Sequence, residues 1–376
     1  MDNIRYHQVL PDNDRPNGFN EYNTAEFTLT ADQTRALVCG SVRIEGDVLI
    51  NETGTDAVKA GTRITIDNHV GAHAFFDNVS VVLSQGGGQI ENIDNYGRWV
   101  KMVNSATSSE DDNHRADALC ELRSPNLRHT EYLLKKRLTK SQDSTLAILP
   151  DMSVALKCCL NRPIQGNFLD FAKTGSIRVQ VKFARNVSVL SGVDSGTASF
   201  PAPNYTLSNL RCVFKSVIAQ NQPTVLQRVL SMNQSLESNN STVSTSVPAV
   251  VNAVSAVFLT QSRENNYLFN NFALERPDNI SNIQMNYNDT TNAYQTFRLD
   301  NQQEILSNYL ESLRSAGIND AKLNKVDSND CFGAGIDFKE NIDFSSGNKF
   351  SLQIESGIDN SEPVILFLYF HSLVSM

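Results

Sequence analysis

The segment from Asp67 to Val103 constrains the fold most, because a strand pattern and a helix pattern follow one another within it. Every second position from Val79 to Leu83 is apolar, which is the period of a half-buried strand. The glycine-rich stretch Gln85–Gln89 then breaks the strand, because glycine adopts positive φ at little cost. Apolar residues at three- and four-residue spacing follow, and they predict a short helix over Ile90–Val103.

The same order of elements returns in the second half of the chain. Ile283, Met285 and Tyr287 alternate with polar residues, which predicts another strand. After a polar loop, an apolar stripe predicts a helix over Glu304–Arg314 that ends near Gly317. This internal similarity indicates two similar modules in tandem.

Length and composition agree with two folded domains. A chain of 376 residues exceeds one ordinary domain and can bury a core in each of two. Hydrophobic residues make up 40% and charged residues 19%, as in globular proteins, and no apolar run is long enough for a transmembrane helix. The N-terminal residues lack the basic start and apolar core of a secretory signal. We therefore expect a protein that is made and folded inside a cell, with its six scattered cysteines reduced.

The charge balance argues against a nucleic-acid coat. The net charge is −9, whereas phosphate binding is driven by clustered lysine and arginine. The short basic cluster Leu134–Lys140 is a local exception, which could touch phosphate, act as a nuclear address or form a solvated helix face. We expect no specific nucleic-acid binding.

Changes in polarity divide the chain into four parts. Residues 1–22 are polar and show no periodicity, which predicts an N-terminal arm outside the core. The first module is expected over residues 23–190, a Gly-, Ser- and Pro-rich linker over 191–204, and the second module over 205–376. Many short strands and few helices predict an all-β fold of two tandem eight-stranded jelly rolls, which are β-sandwiches, with short helices in the connections.

Two segments of the second module carry opposite patterns. Ser231–Ser246 is rich in serine and asparagine and too polar for a core, so we expect an exposed loop. Val364–Phe370 is continuously apolar, which predicts a strand that is buried on both faces.

No set of residues in the sequence matches a catalytic, cofactor or metal site. His69 and His73 are four residues apart, as in a helical zinc pair, but Val70 and Gly71 between them are poor helix formers and the glutamate of an HExxH motif is absent. We expect two polar histidines in a turn or an interface. We further expect no metal, no cofactor and no enzyme activity, because no nucleophile, base and orienting group emerge together.

The segment Gly71–Val81 (GAHAFFDNVSV), with Gly88–Ile93 and Asn95–Tyr96 after it, resembles the double jelly-roll major capsid proteins of the PRD1–adenovirus lineage. That lineage includes the capsid proteins of virophages and related small DNA viruses. Further similar segments follow in the order that the family has: Phe168–Phe183, Tyr205–Leu210, Gly335–Phe338 and Pro363–Phe370.

The resemblance implies a homotrimer with a nearly hexagonal outline that tiles the icosahedral shell of a DNA virus, so the protein would be found in the virion. It makes the helices over Ile90–Val103 and Glu304–Arg314 supports near the trimer base. The residues that would pack there, if they do not merely fill the core of one subunit, are Tyr96, Trp99, Tyr309 and Leu313. The implied partners are other copies, neighbouring capsomers, and penton and minor capsid proteins, with an internal membrane as a further candidate.

Two other classes of protein stay open at this point. Tandem jelly rolls also occur in glycan-processing enzymes, so the alternative is a two-domain β-sandwich glycan hydrolase or carbohydrate-binding protein. That alternative predicts an aromatic-lined cleft with close carboxylates, and the single tryptophan, Trp99, counts against it. A viral spike or fibre protein would share the β-structure but not the two similar modules.

Overall fold

A computed structural model of the chain describes residues 3–51, 64–85, 88–107, 121–122, 147–148, 152–192, 203–236, 242–245, 247, 249–276, 280–287, 295–299, 301–321, 331–347, 349–356 and 363–376. The strands before residue 200 are β1 (Arg5–Val9), β2 (Thr24–Leu29), β3 (Arg35–Val38), β4 (Arg43–Asn51), β5 (Ile64–Thr65), β6 (Phe76–Leu83), β7 (Gly88–Asp94), β8 (Ala147–Ile148), β9 (Met152–Ala155), β10 (Pro163–Gln165), β11 (Phe168–Asp170), β12 (Ile177–Phe183) and β13 (Ser191–Gly192). The strands after it are β14 (Asn204–Ile218), β15 (Val225–Leu236), β16 (Thr242–Thr245), β17 (Val250–Thr260), β18 (Ile280–Tyr287), β19 (Gln295–Leu299), β20 (Ala334–Asp343), β21 (Phe350–Ser356) and β22 (Val364–Ser375).

Helices are few and connect the strands, as expected. The α-helices of the described residues are α1 (Tyr96–Thr107), α2 (Phe171–Thr174), α3 (Asn186–Val189) and α4 (Gln302–Ser315). Short 3-10 helices cover Gly71–Phe75, Cys159–Asn161, Gln261–Arg263 and Phe344–Ser346.

One long sheet runs through both halves of the molecule. Its strands lie in the order β2-β12-β6-β7-β15-β22-β17-β20, and β10 also pairs with β15. The first four strands of this order come from the first half of the chain and the last four from the second. A single parallel pairing, between Asn92 of β7 and Leu230 of β15, joins the two groups.

Each half of the long sheet is covered by a second sheet. The first half is covered by the order β11-β3-β14-β4-β8, with β1 on β14 and β9 on β4, and the second half by β16-β21-β18-β19. Aromatic rings fill the space between the layers: Phe75 packs on Tyr205 at 4.9 Å and Phe350 on Phe370 at 5.7 Å between ring centroids. The expectation of an all-β fold with two sandwiches in tandem is confirmed.

The helix predicted over Ile90–Val103 is shorter and follows a strand. Residues 88–94 form β7, which pairs with β6, and α1 begins at Tyr96 after a left-handed Asn95 (φ +53°). A β-bulge causes the error: Val81 pairs with Glu91 and Val82 with Gln89, so Ile90 is left over. The bulge buries Ile90 and Ile93 three residues apart, which imitates helical spacing.

The second half repeats the hairpin and the helix. The predicted strand is β18, and the polar loop after it contains β19, which pairs with it antiparallel. The predicted helix over Glu304–Arg314 is confirmed as α4, whose N-cap Asn301 accepts a hydrogen bond from the Glu304 N–H at 2.9 Å. It stops before Gly317, which has φ +79°. Both halves therefore carry a hairpin followed by a helix.

The N-terminal residues belong to the first sandwich. β1 pairs with β14, and Phe19 is 1% exposed and exchanges backbone hydrogen bonds of 2.7 and 2.8 Å with Leu207. The expected arm is attached to the sandwich through β1 and Phe19, whereas most other side chains of residues 3–22 are exposed, so its bounds stay a prediction. The physical reason for the attachment is that the edge of β14 needs hydrogen-bond partners, which this segment supplies.

The strand after the predicted linker also pairs with the first half. β14 begins at Asn204 and hydrogen-bonds with β4 and β3, for example Leu207 with Val48. Most of the linker, residues 193–202, lies outside the described residues. The boundaries of the two modules stay predictions, although the strand expected to open the second module lies in a sheet of the first half.

The exposed loop expected over Ser231–Ser246 is partly wrong. Residues 231–236 belong to β15, which pairs with β22 along its whole length, and residues 242–245 form β16. The error arises because the side chains of residues 233–235 are exposed while their backbone pairs, so a polar composition does not prevent a strand. The prediction for Val364–Phe370 is confirmed, since β22 lies between β15 and β17 with every residue of this stretch buried.

Three composition-based expectations concern features outside the sheets. The helices of the described residues include none that is long and apolar enough to cross a membrane. The described cysteines are free thiols, and burial raises the pKa of Cys39 to about 12 and that of Cys158 to about 12. The basic cluster Leu134–Lys140 lies outside the described residues.

Candidate assembly region

The four predicted assembly residues lie inside the chain. Their exposed fraction is 0% in each case, for Tyr96, Trp99, Tyr309 and Leu313. A fully buried side chain does not contact a second subunit, so in this structure the four residues pack within their own subunit. Whether their helices support a trimer stays a prediction.

Helix α1 is anchored by its two aromatic residues. The Tyr96 hydroxyl accepts a hydrogen bond from the Lys157 N–H at 2.7 Å and lies 3.1 Å from His73 Nδ1. Trp99 Nε1 donates to the Lys157 carbonyl at 3.1 Å, and the Arg162 guanidinium lies 5.0 Å from the Trp99 ring centroid. Burial raises the pKa of Tyr96 well above its usual value, so the hydroxyl stays protonated.

Helix α4 is anchored by close approach to glycines. The Tyr309 ring packs directly on Gly333, where a Cβ atom would overlap it, and Ser312 packs on Gly335 in the same way. Within the described residues the Tyr309 hydroxyl has no hydrogen-bond partner, and burial raises its pKa well above the usual value. Close packing on glycines therefore adds to the hydrogen bonds of α4, such as the one from Asn252 Nδ2 to the Ser315 carbonyl at 2.9 Å.

A buried carboxylate connects the two halves next to α1. Glu91 is 0% exposed and accepts hydrogen bonds from Arg162 Nη2 at 2.9 Å, the Val229 N–H at 2.8 Å and the Cys159 N–H at 2.5 Å. Burial raises the pKa of Glu91, although Arg162 opposes the shift. Sequence reasoning missed Glu91, because only the bulge turns this position inward.

A second buried ion pair lies on the opposite side of α1. Lys101 Nζ contacts Asp67 Oδ2 at 2.9 Å, and both side chains are fully buried. Asn270, from the loop after β17, also donates to Asp67 Oδ2 at 2.6 Å. Burial opposes the charge on Asp67, but Lys101, with smaller contributions from His69 and Asn270, outweighs it and lowers the pKa of Asp67 to about 2. The ion pair thus joins α1 to a loop of the second half.

A buried arginine, Arg98, also hydrogen-bonds with this loop. Arg98 donates through Nη1 to the Ala273 carbonyl at 3.0 Å and through Nη2 to the Asn271 carbonyl at 2.5 Å. Its guanidinium lies 4.1 Å from the Phe367 ring centroid, and burial lowers its pKa to about 10. Two residues of the first half, Asp67 and Arg98, therefore hold this loop, and Lys101 pairs with Asp67. Nothing in the sequence pattern had identified these contacts.

Among the described residues, two serine–histidine pairs have the spacing of a nucleophile and a base. His7 Nε2 lies 2.7 Å from Ser216 Oγ between β1 and β14, and the second pair lies beneath α4. Ser255 Oγ lies 2.9 Å from His371 Nε2, and Ser312 Oγ lies 2.9 Å from Ser255 Oγ. Ser255, Ser312 and His371 are 0% exposed, so no substrate reaches them, and burial lowers the pKa of His371 to about 3. This cluster stabilises the packing of α4 on the long sheet.

The surface groove near the N-terminus does not resemble a glycan site. It has a volume of about 620 Å³, and its walls carry no aromatic side chain among the residues that line it. The glycan-binding alternative predicts aromatic walls, and the single tryptophan is buried elsewhere. Among the described residues, no three metal-ligating side chains are grouped, and buried His73 interacts with Tyr96.

Known proteins match this chain in structure but not in sequence. No protein-family model matches the chain, and no curated protein is similar to it in sequence. Solved structures do match. The Faustovirus major capsid protein superposes with a TM-score of 0.62 at 9% identity, covering 100% of this chain and 90% of that one. The chain has the double jelly-roll fold.

Two further capsid structures match this double jelly roll over nearly its whole length. A chain of the Sputnik virophage gives a TM-score of 0.59 at 8% identity, with 99% of this chain and 86% of that one covered. A chain of the PBCV-1 virus capsid gives 0.56 at 9% identity, with coverage of 100% and 94%. At such low identity the likeness concerns the fold, so the residues of the double jelly roll must be interpreted from their own contacts.

Proposed function

We propose that this chain is a major capsid protein, three copies of which form a pseudo-hexagonal capsomer that tiles the icosahedral shell of a DNA virus. The observation that carries the proposal is the match of the whole chain to capsid proteins that have two jelly rolls. Three chains with two similar modules each present six similar units around a three-fold axis. Six such units give a nearly hexagonal outline, which packs into a closed shell.

The internal construction of the subunit supports a structural role. The two halves share one sheet, and buried groups such as Glu91 and Asp67 bridge them, so the two halves of each subunit are joined by more than a linker. A shell protein needs self-complementary surfaces rather than a reactive site. We further propose that the protein is located in the virion, where its partners are other copies, penton and minor capsid proteins, and in some settings an internal membrane.

Light scattering on the purified chain tests the proposal. A stable species with three times the 41.6 kDa mass of one chain is expected, since three-fold closure is the basis of the capsomer. A protein that stays monomeric at all concentrations and salt conditions would contradict it.

A further inference from the structure

An apolar ridge lies at the start of the N-terminal strand. Tyr6 of β1 is 77% exposed, and Ile4, which directly precedes the strand, is 52% exposed. Lys215, opposite Tyr6 on β14, places Nζ 5.1 Å from the Tyr6 ring centroid. Large apolar side chains clustered at the surface mark contact sites. We call Ile4, Tyr6 and Lys215 the N-terminal ridge.

A groove lies on the same face, beyond the other end of β1. Gln8, which shares its face with Tyr6, lines the groove together with Leu10, Pro16 and Leu210. A β-bulge in β14 opens the groove, because the pairing with β4 shifts between Ser208 and Arg211. The charged residues of its walls are Asp14, Arg15, Asp47 and Arg211. We call this 620 Å³ cavity the bulge groove.

The two features are complementary in charge. Lys215 of the ridge makes no ion pair with any described residue. In the groove Arg211 is neutralised by Glu45 at 2.9 Å, whereas Asp14 and Asp47 make no ion pair within the described part of the chain. The unpaired charges of the groove are therefore two acidic side chains, Asp14 and Asp47, and one basic side chain, Arg15. A groove with this excess of negative charge favours binding of a basic and partly apolar surface.

We propose that two copies of this chain join through a two-fold contact in which the N-terminal ridge of each enters the bulge groove of the other. Ridge and groove are separated by four residues of extended chain, about 13 Å, so both contacts form around one axis near Gln8. This inference rests on the proposed capsid function, in which the contact joins neighbouring capsomers. Small surfaces suffice there, because many copies act together.

The test compares two exposed tyrosines in the full-length protein. Tyr6→Ser removes the ring from the ridge, and Tyr22→Ser is the matched control, because Tyr22 is 60% exposed but lies in neither the ridge nor the groove. Light scattering over a concentration series measures both capsomer mass and capsomer association. We expect Tyr6→Ser to keep the trimer and to weaken association by about tenfold or more, as for a buried aromatic anchor, while Tyr22→Ser behaves as wild type.

A charge exchange tests the geometry of the contact. In Lys215→Glu the new glutamate of one copy faces Asp47 of the other, and in Asp47→Lys the new lysine faces Lys215. Each single variant therefore brings like charges together and is expected to weaken association. The double variant restores opposite charges in both halves of the two-fold contact and is expected to recover association. Failure of the double variant to recover, or association that resists Tyr6→Ser, overturns the inference.

The outcome also separates this inference from the proposed function. If Tyr6→Ser or Lys215→Glu breaks the trimer itself, the ridge lies within the capsomer and the two-fold contact is refuted. If the wild-type chain is not a trimer, the capsid proposal fails, but a two-fold contact still requires a monomer–dimer equilibrium that depends on Tyr6. Wild-type protein without any association at high concentration refutes the contact as well.

Discussion

At the scale of single residues, the two halves are held together by buried charged side chains. The Asp67–Lys101 pair is the clearest example, because both side chains are fully buried and a loop asparagine completes the site. Removing one member of such a pair leaves an uncompensated charge, whereas exposed pairs are worth little. The chain contains both buried and exposed ion pairs, so their contributions to stability can be compared.

We expect Asp67→Asn to lower the free energy of unfolding by about 3 kcal/mol, because Lys101 then stays buried without its partner. Denaturant unfolding measures the loss. The matched control is Asp77→Asn, which breaks the exposed pair of Asp77 and Lys182 (3.2 Å) and should cost about 0.5 kcal/mol or less. An equal decrease in the free energy of unfolding in the two variants would show that the buried ion pair stabilises the protein no more than the exposed one.

The same carboxylate predicts a pH dependence. The pKa of Asp67 in the folded chain is about 2, below its usual 3.8, so its contribution is complete above about pH 4 and is lost as the pH falls toward 2. The stability difference between wild type and Asp67→Asn should therefore shrink by about 2 kcal/mol over this range. Thermal unfolding at several pH values checks it, and a constant difference would contradict the assigned pKa.

At the scale of elements, the recurring unit is a hairpin followed by a helix that packs on the sheet. The sequence alone revealed the first strand and the helix of each unit from their periodicity. It did not reveal β7, because the bulge at Ile90 breaks the two-residue alternation, nor β19, because its polar neighbours resemble a loop. Bulges depend on the partner strand, which periodicity within one strand does not encode.

The docking of α4 gives a prediction at this scale. Gly333→Ala should destabilise the protein by about 1–3 kcal/mol, because the new methyl group overlaps the Tyr309 ring. Tyr309→Phe keeps the ring and removes only a buried hydroxyl that has no hydrogen-bond partner among the described residues, so it should be neutral or stabilise by about 1 kcal/mol. Thermal unfolding of both variants is the measurement.

A smaller side chain at position 309 provides the control for this packing. In the Tyr309→Leu background, Gly333→Ala should cost less than in wild type, because the ring that blocks the methyl group is gone. An equal cost in both backgrounds would place the strain elsewhere, for example in the backbone of β20.

At the scale of the whole molecule, the two sandwiches share one long sheet and are not joined by a linker alone. The composition of residues 191–204 indicated a boundary there, yet β14 directly after it completes the sheet of the first half. Composition reports where the chain is polar, but not with which sheet the next strand pairs. The all-β class and the tandem arrangement were predictable from alternation and recurrence, whereas this pairing depends on tertiary contacts alone.

Fragments of the chain test the pairing of β14 with the first half. A fragment of residues 1–220 should be more soluble and unfold more cooperatively than residues 1–192, because it retains β14 and leaves the edge of β4 paired. Soluble yield and thermal unfolding followed by circular dichroism compare them. A higher soluble yield and more cooperative unfolding of the shorter fragment would mean that the first module folds without β14.

Three copies of this double jelly roll are expected to form one capsomer, and electron-microscope images of the purified protein test this arrangement. Class averages by electron microscopy should show a particle of three-fold symmetry with six similar lobes and a nearly hexagonal outline, two lobes from each chain. Single two-lobed particles, or rings of a different symmetry, would contradict the proposed trimer.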